Sequence, residues 1–275
     1  MSNLLPSTSE SIANIIFLDL IFLAGTTCKD QIFYVLGDRV VGSFMHFSAE
    51  SLSSYLENAY IYHWKDMSGN RRDVAVSGGC GHPKYGKASW NKSIPVIKFG
   101  HSGTQTCLKT TSAYSVSTSG TYVGVLSWSG PGGPWHPIAA VSHDTHWSLR
   151  MVLDSLEINM HVRLEDEPRI KIELNKPYIV VGRVDDSTKT SYMWVWDVQA
   201  SSWLGQKQTS TQGIPNGGVE TVTIGRATIL DNEFFQGEIA TYAMWDRFLS
   251  DTEVKQLIDQ YANNMGQGQE TFKGS

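Results

Sequence analysis

From Gln31 onward the chain reads as short apolar-rich runs separated by clusters of Gly, Asn, Asp and Ser, the pattern of strands joined by tight turns. Two such runs in "QIFYVLGDRVVGSFMHF" break at Leu36, Gly37 and Asp38, a hairpin-like turn. "IPVIKFG" (94–100), "TYVGVLSW" (121–128) and "HWSLRMVL" (146–153) follow. Then "EINMHVRL", "RIKIEL", "PYIVVGRVD", "TSYMWVWDV" and "ETVTIGR" come at short spacing. In "HVRLEDEPRIKIEL", Val162 and Leu164 alternate before a turn, and Ile170, Ile172 and Leu174 after it, which predicts a hairpin. No helical period intervenes, so the prediction is an all-β fold of two packed antiparallel sheets, not parallel βαβ units.

The period changes at the end of the chain. Ser250 followed by Glu253 has the capping-box spacing, and Asp251 places negative charge at the positive end of the helix dipole. Val254, Leu257, Ile258 and Tyr261 then fall on one stripe, so a short C-terminal helix is predicted to pack flat on the domain. "SAESLSSYLEN" has room for one helical turn. Residues 1–42 are read as an N-terminal arm, 43–264 as the sandwich and 265–275 as a loose, polar, Gly-rich tail. The apolar run "IIFLDLIFLAG" (15–25) is interrupted by Asp19, follows no Lys or Arg and is too short to span a bilayer. It is read as a buried strand or anchoring segment of that arm, and no membrane partner is expected.

Plentiful Gly (25), Trp (9) and Tyr (11) agree with a turn-rich β protein. A net charge of −5 and the absence of a Lys/Arg run remove the long-range attraction that a nucleic acid would need. Cys28, Cys80 and Cys107 form no CxxC pair for zinc; they allow one bridge, but the odd count favours thiols kept reduced during folding.

"FQGEIATYAMWDRFLSDTEVKQL" (235–257) resembles the closing motif of laminin-G-like and concanavalin-A-like jelly-roll domains, through Phe235, Gly237, Ile239, Ala240, Trp245, Arg247, Leu249, Ser250, Glu253 and Leu257. "HWKDMSGNRRDV" (63–74) resembles the Trp-x-Asp-x-Ser-Gly-Asn turn of the same domains. "IPVIKFG", Leu108 and "TIGR" (223–226) resemble later strands, in the family's order. The resemblance spans 43–263 and implies a jelly roll used for recognition or adhesion. Ser48 stands where members often carry Asp, which puts a ligand role there in doubt. Such domains often bind calcium through loop groups that leave no linear motif, so no cofactor is assigned but calcium stays open, with Asp66, Asp73, Asp231 and Asn232 as loop candidates.

Two groups are candidates for ligand binding. Trp135, His136, Asp144 and Trp147 belong to "WHPIAAVSHDTHW", where two indoles could stack on a sugar ring and the His and Asp could hydrogen-bond it. Its histidines are not assigned a metal, because strand alternation turns His143 and His146 to opposite faces. Tyr192, Trp194 and Trp196 alternate with Met193 and Val195 on one strand. That row is either a platform for a pyranose or, as aromatics more often are, the interior between the sheets. A glycosidase needs two carboxylates on one face, and the nearest match, Glu165 and Glu167, reads as a solvated turn beside Pro168. No catalytic residues are therefore expected. An extracellular-type domain without a secretion signal, and with an odd cysteine, points to a non-enzymatic virion surface protein, a capsid decoration or fibre. It would be an oligomer that binds capsid or other virion proteins through residues 1–42 and presents the jelly roll to glycans or a host surface. A free carbohydrate-binding lectin is the alternative, and a glycoside hydrolase or lyase a third reading.

Overall fold

The computed structural model describes residues 42–101, 104–130, 135–141, 148–152, 157–161, 169–210, 219–226 and 234–265. The expected arm before Gly42, the turn at 36–38 and the Gly-rich tail lie outside them. In chain order the strands are β1 (Met45–Ser48), β2 (His63–Trp64), β3 (Val74–Val76), β4 (Lys84–Lys87), β5 (Pro95–Phe99), β6 (Leu108–Thr110), β7 (Tyr114–Ser115), β8 (Gly120–Trp128) and β9 (Trp135–Val141). They continue as β10 (Ser148–Val152), β11 (Glu157–His161), β12 (Arg169–Lys171), β13 (Pro177–Asp185), β14 (Thr190–Asp197), β15 (Ser202–Ser210), β16 (Val219–Glu220), β17 (Val222–Ile224) and β18 (Gly237–Trp245). One α-helix, α1 (Asp251–Asn264), ends the described chain, and a 3-10 turn, Ala49–Leu52, is the helical turn expected after β1.

The strands form two eight-stranded sheets, with every described ladder antiparallel. The first runs β15-β14-β13-β8-β18-β5-β4, with β1 also on β18; the second runs β12-β11-β10-β9-β17-β6-β3-β2. β7 and β16 make a separate two-stranded ribbon.

The core between the sheets comes from one alternation set of each strand. The first sheet gives Tyr122 and Leu126, Tyr178 and Val180, Met193 and Val195, Tyr242 and Met244; the second gives Val74, Leu108, Ile138, Ile170, Val222 and Ile224. β8 and β18 are nevertheless buried at all nine positions each, so alternation of polar and apolar residues is lost. On the outer face of the first sheet α1 lies against β13 and buries Val254, Leu257, Ile258 and Tyr261, and the 3-10 turn Ala49–Leu52 packs against β5 and β18. Each of the three aliphatic side chains contributes roughly 2 kcal/mol by leaving water.

The strand of the closing motif, β18, sits in the middle of the first sheet, between β8 and β5. Gly237 is required because a Cβ there would collide with the Ser127 carbonyl oxygen and lie 2.6 Å from the Phe235 ring. The turn into α1 hangs on Thr121, whose Oγ1 donates to the Arg247 carbonyl (3.0 Å) and accepts from Leu249 N–H (3.0 Å). The capping box is complete: Ser250 Oγ accepts from Glu253 N–H at 3.3 Å, and Glu253 Oε2 accepts from Ser250 N–H at 2.8 Å. Arg247 Nη2 adds a bond to Glu253 Oε1 (2.6 Å), and these partners lower the Glu253 pKa to about 2.

The Trp-x-Asp-x-Ser-Gly-Asn turn is a staple between β1 and the β2–β3 connection. Asp66, 4% exposed, accepts from His46 N–H (3.0 Å), Ser68 N–H (2.9 Å), Ser68 Oγ–H (2.8 Å) and Arg72 N–H (3.0 Å), while Asp73 Oδ1 accepts from Asp66 N–H (2.9 Å). Ser48, the departure from the family pattern, caps the 3-10 turn through Glu50 N–H and offers its carbonyl to Trp64 Nε1 (2.9 Å). The expectation of reduced thiols is overturned: Cys80 and Cys107 form a disulfide, their Cα atoms 5.5 Å apart. A parallel bridge, Gly81 to Thr106, brings the two cysteines alongside, a proximity that a separation of 27 residues does not announce.

Candidate carbohydrate-binding face

The alternation in β14 does separate Tyr192, Trp194 and Trp196 from Met193 and Val195, and the second set is the one that enters the core between the sheets. The aromatic row therefore lies on the outer face of the first sheet. Register fixes its neighbours on β13: Arg183 opposite Tyr192, Val181 opposite Trp194 and Ile179 opposite Trp196.

The row changes character along its length. At the Tyr192 end it belongs to the helix dock. Arg183 is fully buried and donates from Nη1 to the Leu249 carbonyl (2.7 Å), and its Nη2 lies 2.7 Å from Asp251 Oδ1. The guanidinium carbon stands 4.6 Å from the Phe248 ring centroid, 4.9 Å from that of Tyr192 and 5.1 Å from that of Trp194. A charge without water is held here by hydrogen bonds and by the negative faces of three rings. Tyr192 and Phe248 close the cage, 5.3 Å apart.

At the other end, toward β15, the outermost strand of the first sheet among the described residues, Trp203 meets both indoles of β14. Its ring centroid is 5.3 Å from that of Trp194 at 70° and 5.3 Å from that of Trp196 at 86°. Trp194 is buried, whereas Trp196 and Trp203 are half-buried. Two nearly perpendicular indoles make a corner with an apolar floor and an apolar wall. Such a corner suits a pyranose, whose C–H-rich face stacks on one ring while the edge meets the other. Trp203 was not among the sequence candidates. Its signal was the spacing: in "WDVQASSW" a four-residue turn after Asp197 pairs Asp197 with Ser202 and sets the second Trp opposite the first.

The other candidate group sits elsewhere. Trp135 and His136 begin β9, paired with Val152 and Met151 of β10 in the second sheet, so they do not join the Trp196 corner on the far face of the first. Asp144 and Trp147 lie outside the described residues, as do Glu165, Glu167, Asp231 and Asn232. Of the calcium candidates, Asp66 and Asp73 spend carboxylate oxygens on backbone N–H groups, and no group of three or more His, Cys, Asp or Glu is placed to hold a metal ion among the described residues. No described helix is long and apolar enough to cross a membrane.

No protein-family model matches the chain, and no curated protein matches it. Solved structures do. A tailspike protein 2 from an Escherichia coli O157:H7 bacteriophage is 11% identical over 69% of this chain and 27% of that one, with a TM-score of 0.54. A Trypanosoma rangeli sialidase in complex with sialic acid is 13% identical over 83% of this chain and 34% of that one, with a TM-score of 0.48. A Ruminococcus gnavus IT-sialidase CBM40 bound to α2,3-sialyllactose is 15% identical over 52% and 83%, with a TM-score of 0.41. The chain spans about a third of the length of the sialidases it matches. At 11% identity the likeness to the tailspike is one of fold alone, a two-sheet β-sandwich. The expectation of a non-enzymatic virion surface protein is corrected: sialidases, each matched over about a third of its length, recur among the similar structures beside the tailspike, and likeness of fold assigns neither a capsid or fibre role nor the absence of catalysis.

Proposed function

We propose that the chain is a carbohydrate-recognition domain of the laminin-G-like, concanavalin-A-like kind, and that the corner between Trp196 and Trp203 receives a pyranose ring. The observation that carries this reading is the pair of half-buried, nearly perpendicular indoles at a sheet edge, 5.3 Å apart and turned away from the core. Buried aromatics need no ligand to account for them, but these two are only half-buried while Trp194 beside them is buried. The rigid hairpin of β14 and β15 orders both rings before binding, which lowers the entropic cost of capturing a small ligand. The Cys80–Cys107 disulfide supports an extracellular setting, where such bridges persist and glycans are met. A glycan array on the full chain tests the reading: selective binding that is lost in Trp196→Ala and in Trp203→Ala supports it, and selective binding that survives both substitutions rejects it.

A further inference from the structure

Four of the seven exposed large hydrophobic side chains among the described residues, Tyr55, Leu56, Tyr60 and Tyr62, fall within one eight-residue segment. Its second half runs antiparallel beside β4, with Tyr60 bridged to Lys84, and continues into β2. Alternation sends Ile61 into the core at 0% exposure and leaves Tyr60 and Tyr62 on the outside, 50% and 55% exposed. His82 stands between the two phenols, 5.9 Å from the Tyr60 ring and 4.5 Å from that of Tyr62. This group lies at the β4 edge of the first sheet, the opposite edge from Trp203. Six strand intervals separate the edges, about 29 Å at the usual spacing.

The patch is held rigid from below. His82 follows the disulfide by two residues, Gly81 N–H donates to the Gln105 carbonyl (2.7 Å), and the His82 carbonyl is 3.1 Å from His101 Nε2. It also has a sign. Lys84 Nζ sits 5.1 Å from the Tyr60 ring centroid and directly opposite Lys98 on β5. Lys98 is matched by Glu238 Oε1 at 3.7 Å, but among the described residues no carboxylate pairs with Lys84. Like charges facing each other across a ladder are unfavourable, and an anion beside Lys84 relieves them.

We infer that Tyr60, Tyr62, His82 and Lys84 form a second saccharide site, separate from the Trp196 corner, that takes a carboxylated sugar. The two phenol rings receive the apolar face of the pyranose and Lys84 receives its carboxylate. In the sequence, the Tyr-Ile-Tyr alternation of "AYIYHW" is the signal that puts both phenols on one face.

Titration of the full chain with glucuronic acid, N-acetylneuraminic acid and glucose, followed by amide chemical shifts of residues 60–84, tests the inference. The expected result is saturable binding of at least one of the acidic sugars, weakened tenfold or more in Tyr60→Ala/Tyr62→Ala. Lys84→Met, which keeps the aliphatic stem, should weaken the acidic sugar about tenfold and leave glucose unchanged. Trp196→Ala/Trp203→Ala should leave this binding intact, which separates the inference from the proposal for the corner. No saturable shift with either acid, undiminished affinity in the double tyrosine variant, or an equal loss for glucose in Lys84→Met would overturn it.

Discussion

Trp203 stands edge-on to Trp196 across the β14–β15 ladder, with the ring planes 86° apart and both residues half-buried. The strand that carries Trp196 sends Met193 and Val195 into the core, so the ring is aimed outward by the same alternation that builds the sandwich. Core packing on one face thereby positions the proposed sugar-binding corner on the other.

The helix dock depends more on the buried hydrogen bond and ring cage of Arg183 than on its ion pair. Asp251 is 63% exposed at the side chain, so Asp251→Asn should cost no more than about 1 kcal/mol in denaturant unfolding. Arg183→Ala strips the Leu249 carbonyl of a buried donor and empties the cage of Tyr192, Trp194 and Phe248; a loss of roughly 3–4 kcal/mol is expected. Equal effects of the two substitutions would show that the ion pair, and not the cage, holds α1.

Glu253 should make stability depend on pH in the acid range. Its pKa falls from 4.5 to about 2 because Arg247 and the Ser250 N–H favour the carboxylate. The folded pKa is the lower one, so the stabilisation is fully present above about 4.5 and is lost as pH falls toward 2. With the side chain 37% exposed, screening reduces this to roughly 1 kcal/mol. Chemical denaturation at pH 7 and pH 3 should show a smaller difference in Glu253→Gln than in the wild type. An unchanged difference would mean that the capping box contributes nothing to this dependence.

The disulfide closes a loop between residues 27 apart, and chain-entropy arguments give about 3–4 kcal/mol for such a bridge. Cys80→Ser/Cys107→Ser should lower the unfolding free energy by that order, and a non-reducing peptide map should show the two peptides linked. Isolation of those peptides as free thiols from the folded protein contradicts the pairing.

Gly237→Ala should destabilise by more than the small gain that alanine gives to an unfolded chain. The added Cβ meets the Ser127 carbonyl and the Phe235 ring at the centre of the first sheet, where neither can move without breaking the β8–β18 ladder. A melting temperature equal to the wild type would show that this junction relaxes freely.

The strands were legible because their chemistry is local. "PYIVVGRVD" is β13 from end to end, and Ser250 with Glu253 set the start of α1 to the residue. What a period of two cannot say is which face is inward. Tyr192, Trp194 and Trp196 were separable from Met193 and Val195, but their direction depends on the second sheet and on α1, which are remote in sequence. The same limit hid the central place of β18, since a strand buried on both faces reads as a plain apolar run. Cys80 and Cys107 were misread because cysteine counting carries no geometry. Arg183, placed inside the strand "IVVGRV", gave no sign of its cage because Phe248 and Leu249 meet it only after the chain has crossed the sheet and turned.

Carbohydrate recognition at the indole corner is tested most directly by isothermal titration of the full chain with its best ligand from a glycan array, repeated with Trp196→Ala and Trp203→Ala. The account predicts that each substitution weakens binding by tenfold or more, about 1.4 kcal/mol, while Met193→Leu on the opposite face leaves the affinity unchanged. Affinity retained in both tryptophan variants, with their folds intact by circular dichroism, would contradict it.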